Sequence, residues 1–164
     1  MPIQLLFFFF VSENIWIFQR SKKENKTKMA DKITVETLVN AFVETVWHHW
    51  TAPESIQKWN HASDDWHCPF AANNLTEGGR FVYTMASTNG EFSFDFEGVY
   101  TDIRLFELIK YQIVDGREVE IKFTRVGDKT LVTEIFDPEN LHPAEMQRAG
   151  WQAILDNFKK VAEE

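Results

Sequence analysis

A chain of 164 residues with a formal net charge of −8 and 44% apolar residues suits a single domain, which buries roughly 70% of its unfolded surface. Its one cysteine excludes an internal disulfide, so a free thiol at Cys68 and a reducing, cytoplasmic setting are expected. Residues 1 to 28 hold five Lys/Arg against two acids, a balance of +3 that leaves −11 on the rest. An acidic body without a basic stripe repels phosphate backbones and anionic bilayers, which excludes nucleic acid and membrane as expected partners.

In chain order, the first 28 residues differ from the remainder of the chain. Leu5 to Val11 is a seven-residue apolar run, followed by Ile15-Trp-Ile-Phe18 and a lysine-rich stretch. The run is far short of the ~20 residues a membrane span needs, and no basic n-region or small-residue cleavage site marks a signal peptide. Phe, Ile, Lys and Asn fill half of the segment, the bias of translated AT-rich, non-coding DNA, and Met29-Ala-Asp-Lys32 reads like a natural start. Residues 1 to 28 are expected to lie outside the domain, as a disordered extension or a misassigned start, with the domain over 29 to 164.

From Lys32 the pattern is that of a small α+β domain. Ile33, Val35, Thr37 and Val39 alternate with Thr34, Glu36, Leu38 and Asn40 as a period-two strand. Val43, Val46, Trp47 and Trp50 then mark one face of a helix, which Thr51-Ala-Pro53 stops. Pro53 opens a second short helix, to Lys58, with Glu54 near its N-terminus. Turn signals at Glu77-Gly-Gly79, Thr88-Asn-Gly90, Asp115-Gly116 and Gly127-Asp-Lys129 divide the next region into six strands: 70 to 75, 80 to 87, 91 to 106, 107 to 114, 117 to 126 and 130 to 136. Sequential strands without crossovers imply an antiparallel meander. The last element is a helix of about 20 residues, capped by His142 with Pro143 at its first position. Met146, Gly150, Trp151, Ile154, Leu155, Phe158, Val161 and Ala162 form its apolar stripe, and Gln147, Arg148, Gln152, Asp156, Lys159, Lys160 and Glu163 its polar side.

Several words of this sequence carry a resemblance in combination: Val46-Trp-His-His-Trp-Thr-Ala-Pro-Glu54, Ile56-Gln-Lys-Trp59, Gly78-Gly-Arg-Phe81, Phe96-Glu-Gly-Val-Tyr100, Phe136-Asp-Pro-Glu139 and Met146-Gln-Arg-Ala-Gly-Trp151 through Phe158. With the element order, they make residues 32 to 163 similar to the START-like (SRPBCC, helix-grip) superfamily, in the branch resembling the activator of the heat-shock-protein-90 ATPase. Many relatives have a proline at the end of the first strand, where this chain has Ala41-Phe42. The resemblance implies a curved antiparallel sheet of about seven strands wrapped around the long C-terminal helix, with a cavity between them suited to apolar small molecules.

Residue chemistry agrees with that implication. Phe81, Tyr83 and Met85 share one strand face, as do Phe92, Phe94 and Phe96, and these sets are expected to point at Trp151 and Phe158. The expected pocket lining is Trp66, Phe70, Phe81, Tyr83, Met85, Phe94, Phe96, Trp151 and Phe158. A solid aromatic core is the competing reading of the same residues.

The segment Trp59-Asn-His-Ala-Ser-Asp-Asp-Trp-His-Cys-Pro-Phe70 invites a metal or nucleophile reading. His61 and His67 lack a helical or Cys-x-x-Cys frame, His48 and His49 diverge by about 100° on a helix, and no oxyanion-forming Gly motif follows Cys68. The segment reads instead as a wall at the cavity mouth, with Trp66 and Phe70 inward and Asp64 and Asp65 solvated. Acid/base chemistry wants a carboxylate or histidine inside the pocket, but Asp95 and Glu97 fall on the face opposite the phenylalanines. No catalytic residue, metal or cofactor is expected. The expected function is binding of a hydrophobic small molecule. A chaperone-interacting protein like the family's namesake is the first alternative, and a cyclase- or dehydratase-like enzyme the second.

Overall fold

The computed structural model describes residues 31–164, so the expectation for residues 1 to 28 lies outside the described residues. The chain runs β1 (Ile33–Val39), α1 (Val43–Thr51), α2 (Pro53–Trp59), β2 (Trp66–Asn73), β3 (Arg80–Ser87), β4 (Ser93–Arg104), β5 (Leu108–Ile113), β6 (Glu118–Val126), β7 (Lys129–Phe136) and α3 (Ala144–Ala162). The strands form one seven-stranded sheet, ordered β1-β7-β6-β5-β4-β3-β2, with every neighbouring pair antiparallel. The α+β helix-grip architecture is therefore the one expected: a curled antiparallel sheet, two short helices after the first strand, and a long C-terminal helix.

Local sequence explains each element. In β1, Ile33, Val35 and Val39 are buried while Thr34, Glu36 and Leu38 are not, the outcome of period-two alternation. Val43, Val46, Trp47 and Trp50 are the buried residues of α1. Ala52 is extended because the following proline disfavours the helical region, and Pro53 then starts α2 at the position where its missing N–H costs nothing. The two helices are clamped by a hydrogen bond from Trp59 Nε1 to the His49 carbonyl at 2.9 Å. Gly127, at φ +65, opens the two-residue loop between β6 and β7, a conformation a β-carbon resists.

β1 is an edge strand, and α3 covers its edge. Arg148 donates to the Thr34 carbonyl (2.6 Å), Gln152 to Glu36 (3.2 Å) and Lys159 to Leu38, so side chains along one side of the helix satisfy alternate carbonyls of the strand. An edge strand left uncovered invites pairing with other chains. At the other end of α3, Gln147 bonds both the N–H (2.9 Å) and the carbonyl (3.0 Å) of Glu139 and the His142 carbonyl (2.9 Å). It is 1% exposed, which corrects its placement on the solvated side. The helix also starts later than expected: Pro143 is extended at ψ 143 and is itself the N-cap, while His142 bonds Glu139.

Strand boundaries differ from expectation by up to four residues. β2 begins at Trp66, four residues before the expected start, and β4 stops at Arg104. The β4–β5 turn carries no glycine; Phe106 takes φ +63 there, with its ring edge-on to Trp47 at 5.8 Å.

Candidate ligand cavity

The sheet curls so that alternate residues of its strands face α3, and a cavity of about 140 Å³ lies between them. Tyr83 and Met85 of β3, Phe94, Phe96 and Tyr100 of β4, Ile109 and Tyr111 of β5 and Glu134 of β7 form its sheet side. Trp151 and Ile154 come from α3, and Trp50, Thr51, Trp59 and Asn60 from the α1–α2 region. Arg117 and Glu139 complete the lining and are partly exposed. Tyr83, Phe94, Phe96, Tyr111, Trp151 and Ile154 are only half-buried although they line an interior space, so solvent reaches it.

The nine residues expected to line a pocket separate into two groups. Tyr83, Met85, Phe94, Phe96 and Trp151 line the cavity. Trp66 is buried behind it, its ring 6.0 Å from Phe94. Phe81 is buried under the floor: its ring lies over Gly98, where a β-carbon would come within 2.9 Å of it, and it touches Tyr83, Phe96, Tyr100 and Tyr111. Phe158 is fully buried between Trp50 (4.7 Å) and Trp59 (5.1 Å), as part of a solid cluster with Phe123 and Trp47. The strand aromatics meet Trp151 through Phe96 at 6.5 Å, but Phe158 belongs to the other cluster.

Phe70 is the clear correction. It is 50% exposed, not inward. The register of β2 against β3 shifts between His67 and Phe70, and this bulge inserts a residue that changes the phase of the strand. Trp66 and Cys68 stay buried before it and Ala71 after it, leaving Phe70 outside; Asp64 and Asp65 are exposed as expected. In the same segment Trp59 and Asn60 reach the cavity wall. Cys68 is buried, donates to the Phe70 carbonyl at 3.2 Å, and burial pushes its thiol up to about 11. Among the described residues no group of three or more His, Cys, Asp or Glu is placed to hold a metal ion. No helix among them is long and apolar enough to cross a membrane.

The sequence places no carboxyl inside the pocket; the structure puts Glu134 there. Its side chain is on the concave face of β7 between Val132 and Phe136, it is 5% exposed, and it lines the cavity. No hydrogen bond or ion pair from the described residues engages it, and burial alone pushes its carboxyl up to about 8. The phenols around it are also displaced upward. Burial is the main cause for Tyr111, followed by the nearby Glu134 charge. The Tyr83 and Tyr100 hydroxyls face each other at 3.3 Å, and burial raises both. Trp151 is held flat against Phe136, centroids 4.0 Å apart and planes at 13°, so one wall is a rigid stacked pair. By contrast Asp95 and Glu97 sit on the convex face, bonded to Thr84 (2.7 Å) and paired with Arg80 (3.8 Å).

A curled antiparallel sheet gripping a C-terminal helix over an aromatic cavity defines a START-like domain. The chain belongs to the Activator of Hsp90 ATPase homolog 1-like family, whose model matches residues 40–163. It is similar to the AHSA1-like protein from Aeromonas hydrophila, at 41% identity over 80% of this chain and 92% of that one, with a TM-score of 0.77. Chr148 from Cytophaga hutchinsonii is 51% identical over 80% of this chain and 91% of its own, at a TM-score of 0.71. CV1439 from Chromobacterium violaceum shares the fold, at 17% identity over 82% of this chain and 99% of its own and a TM-score of 0.74. No curated protein matches the chain.

Proposed function

We propose that this domain binds a compact apolar small molecule between the concave face of its sheet and α3. The observation that carries this reading is the aromatic cavity itself. Interiors packed only for stability close to crystal-like density, because atoms facing a void forfeit their contacts. A concave space lined by aromatic side chains with a few placed polar groups is instead the usual form of a small-molecule site. The lone thiol is consistent with action in the cytoplasm. Contact with a chaperone, the alternative suggested by the family's description, rests on that description alone.

The test is titration with the neutral fluorophore prodan. One dye should bind per chain and quench tryptophan emission, since Trp151, Trp50 and Trp59 all border the cavity. Ile154→Trp should fill the space and abolish dye binding while costing about 1–3 kcal/mol of stability. Failure of neutral apolar probes to bind the folded protein would overturn the proposal.

A further inference from the structure

We infer that the ligand of this cavity carries a cationic amine, held by the Glu134 carboxylate within a box of aromatic rings. The inference rests on the reading of the cavity as a small-molecule site and deepens it.

A carboxyl that is 5% exposed and has no hydrogen-bond or ion-pair partner among the described residues is costly to ionise, because burial strips much of the hydration its charge needs. The described residues supply no counter-charge. Arg117, the cation that lines the cavity, is committed to Asp115 through Nε (2.9 Å) and a second guanidinium nitrogen (2.8 Å). The flanking strands present Val35 of β1 and Ile121 of β6 beside Glu134, and α3 presents Trp151 and Ile154. The remaining titratable groups that face the space are Tyr83 of β3, Tyr100 of β4, Tyr111 of β5 and Glu139, which is bonded to His142. None of these is a cation, and the His142 ring is engaged by Glu139.

What the space does offer is one unengaged acid, Glu134, and several ring faces, since Glu139 is bonded to His142. Trp and Tyr faces attract a cation through their quadrupoles, more strongly when it is desolvated, and an ionised carboxylate accepts without donating. An ammonium on an aryl or alkyl body would meet both, and the formal charge of −8 would draw it in. A neutral ligand with a hydrogen-bond acceptor would use the protonated acid as a donor instead. The two cases have opposite proton linkage. An ammonium expels the Glu134 proton on binding, so its affinity rises with pH up to about 8 and then levels; an acceptor needs that proton, so its affinity falls above about 8.

The experiment compares 2-phenylethylamine with its neutral isostere 2-phenylethanol, each displacing prodan at pH 6 to 9. The amine should bind about tenfold or more tightly than the alcohol at pH 8, with an affinity that gains up to about tenfold per pH unit below that. Glu134→Gln should erase the preference and the pH slope, read by direct calorimetric titration of the amine and the alcohol. Dye binding with no amine preference overturns the inference and leaves the cavity reading standing; absence of dye binding removes both. A tighter alcohol whose affinity falls above pH 8 also overturns it. The slope is measured on the unaltered protein, so the answer does not depend on how well the variant folds.

Discussion

Replacing Glu134 by glutamine should make the domain more stable at pH 8 and remove a specific part of its pH dependence. The folded state holds the Glu134 proton to about 8, whereas the unfolded chain releases it near 4.5. Between those values the native state binds more protons, so stability is greatest below 4.5, falls as pH rises, and has lost the whole contribution above 8. At about 1.4 kcal/mol per pH unit the full loss is of order 5 kcal/mol, of which about 2 kcal/mol falls between pH 6 and 8. His49 and His61 oppose this at the acid end. Desolvation lowers both, so their contribution is present above 6.5 and lost as pH falls through their depressed values. Glu44, Glu120, Asp137 and Glu163 are held below the ordinary carboxylate range and act in more acid solution still. Urea melts of the parent and Glu134→Gln at half-unit steps from pH 6 to 8.5 cancel these shared contributions. The difference should grow with pH in favour of glutamine, and parallel profiles would refute the assignment of a buried, unpaired carboxyl.

Phe158→Ala should cost about 3–5 kcal/mol, because its ring is wedged fully buried between Trp50 and Trp59, whereas Phe94→Ala at the cavity should cost less than half as much; chemical denaturation of both variants checks the contrast. Gln147→Ala should cost about 1–3 kcal/mol by stranding the Glu139 N–H and two carbonyls, read from the same melts. Cys68 should react with a disulfide reagent only on unfolding, since it is 2% exposed and its thiol is pushed up to about 11; rapid labelling of the native protein at pH 8 would contradict this. Deleting residues 1 to 28 should leave the thermal midpoint within a degree or two, as differential scanning calorimetry would show.

The architecture was legible because its signals are redundant. Pro53 after Thr51-Ala52, glycine at four of the strand connections and a 19-residue amphipathic helix each specify their element independently, and together they leave one antiparallel order. The turn at Phe106 was not legible, since a non-glycine residue takes φ +63 there and packing on Trp47, not turn chemistry, accompanies it. Phe70 failed for a related reason. A bulge adds a residue without leaving a composition signal, and one added residue turns an inward side chain outward.

Glu134 shows the deeper limit. In β7 the residues Leu131, Thr133 and Ile135 make one face, and Thr130, Val132, Glu134 and Phe136 the other. By hydrophobicity alone the first set belongs inside, because it contains no charge, and the glutamate marks the second as solvated. The structure inverts this: Val132 and Phe136 are fully buried and Glu134 goes in with them, while Leu131 and Ile135 stay half-buried on the convex face. The phase is set by register, with Val35 and Ile121 opposite Glu134 and Phe136 locked against Trp151, and those pairings are not visible within the strand. A strand whose packing forces a carboxyl into an aromatic cavity and then supplies no partner is locally inconsistent. Such inconsistencies gather where a protein binds something, and the residue least readable from sequence is the one on which the proposed ligand chemistry rests.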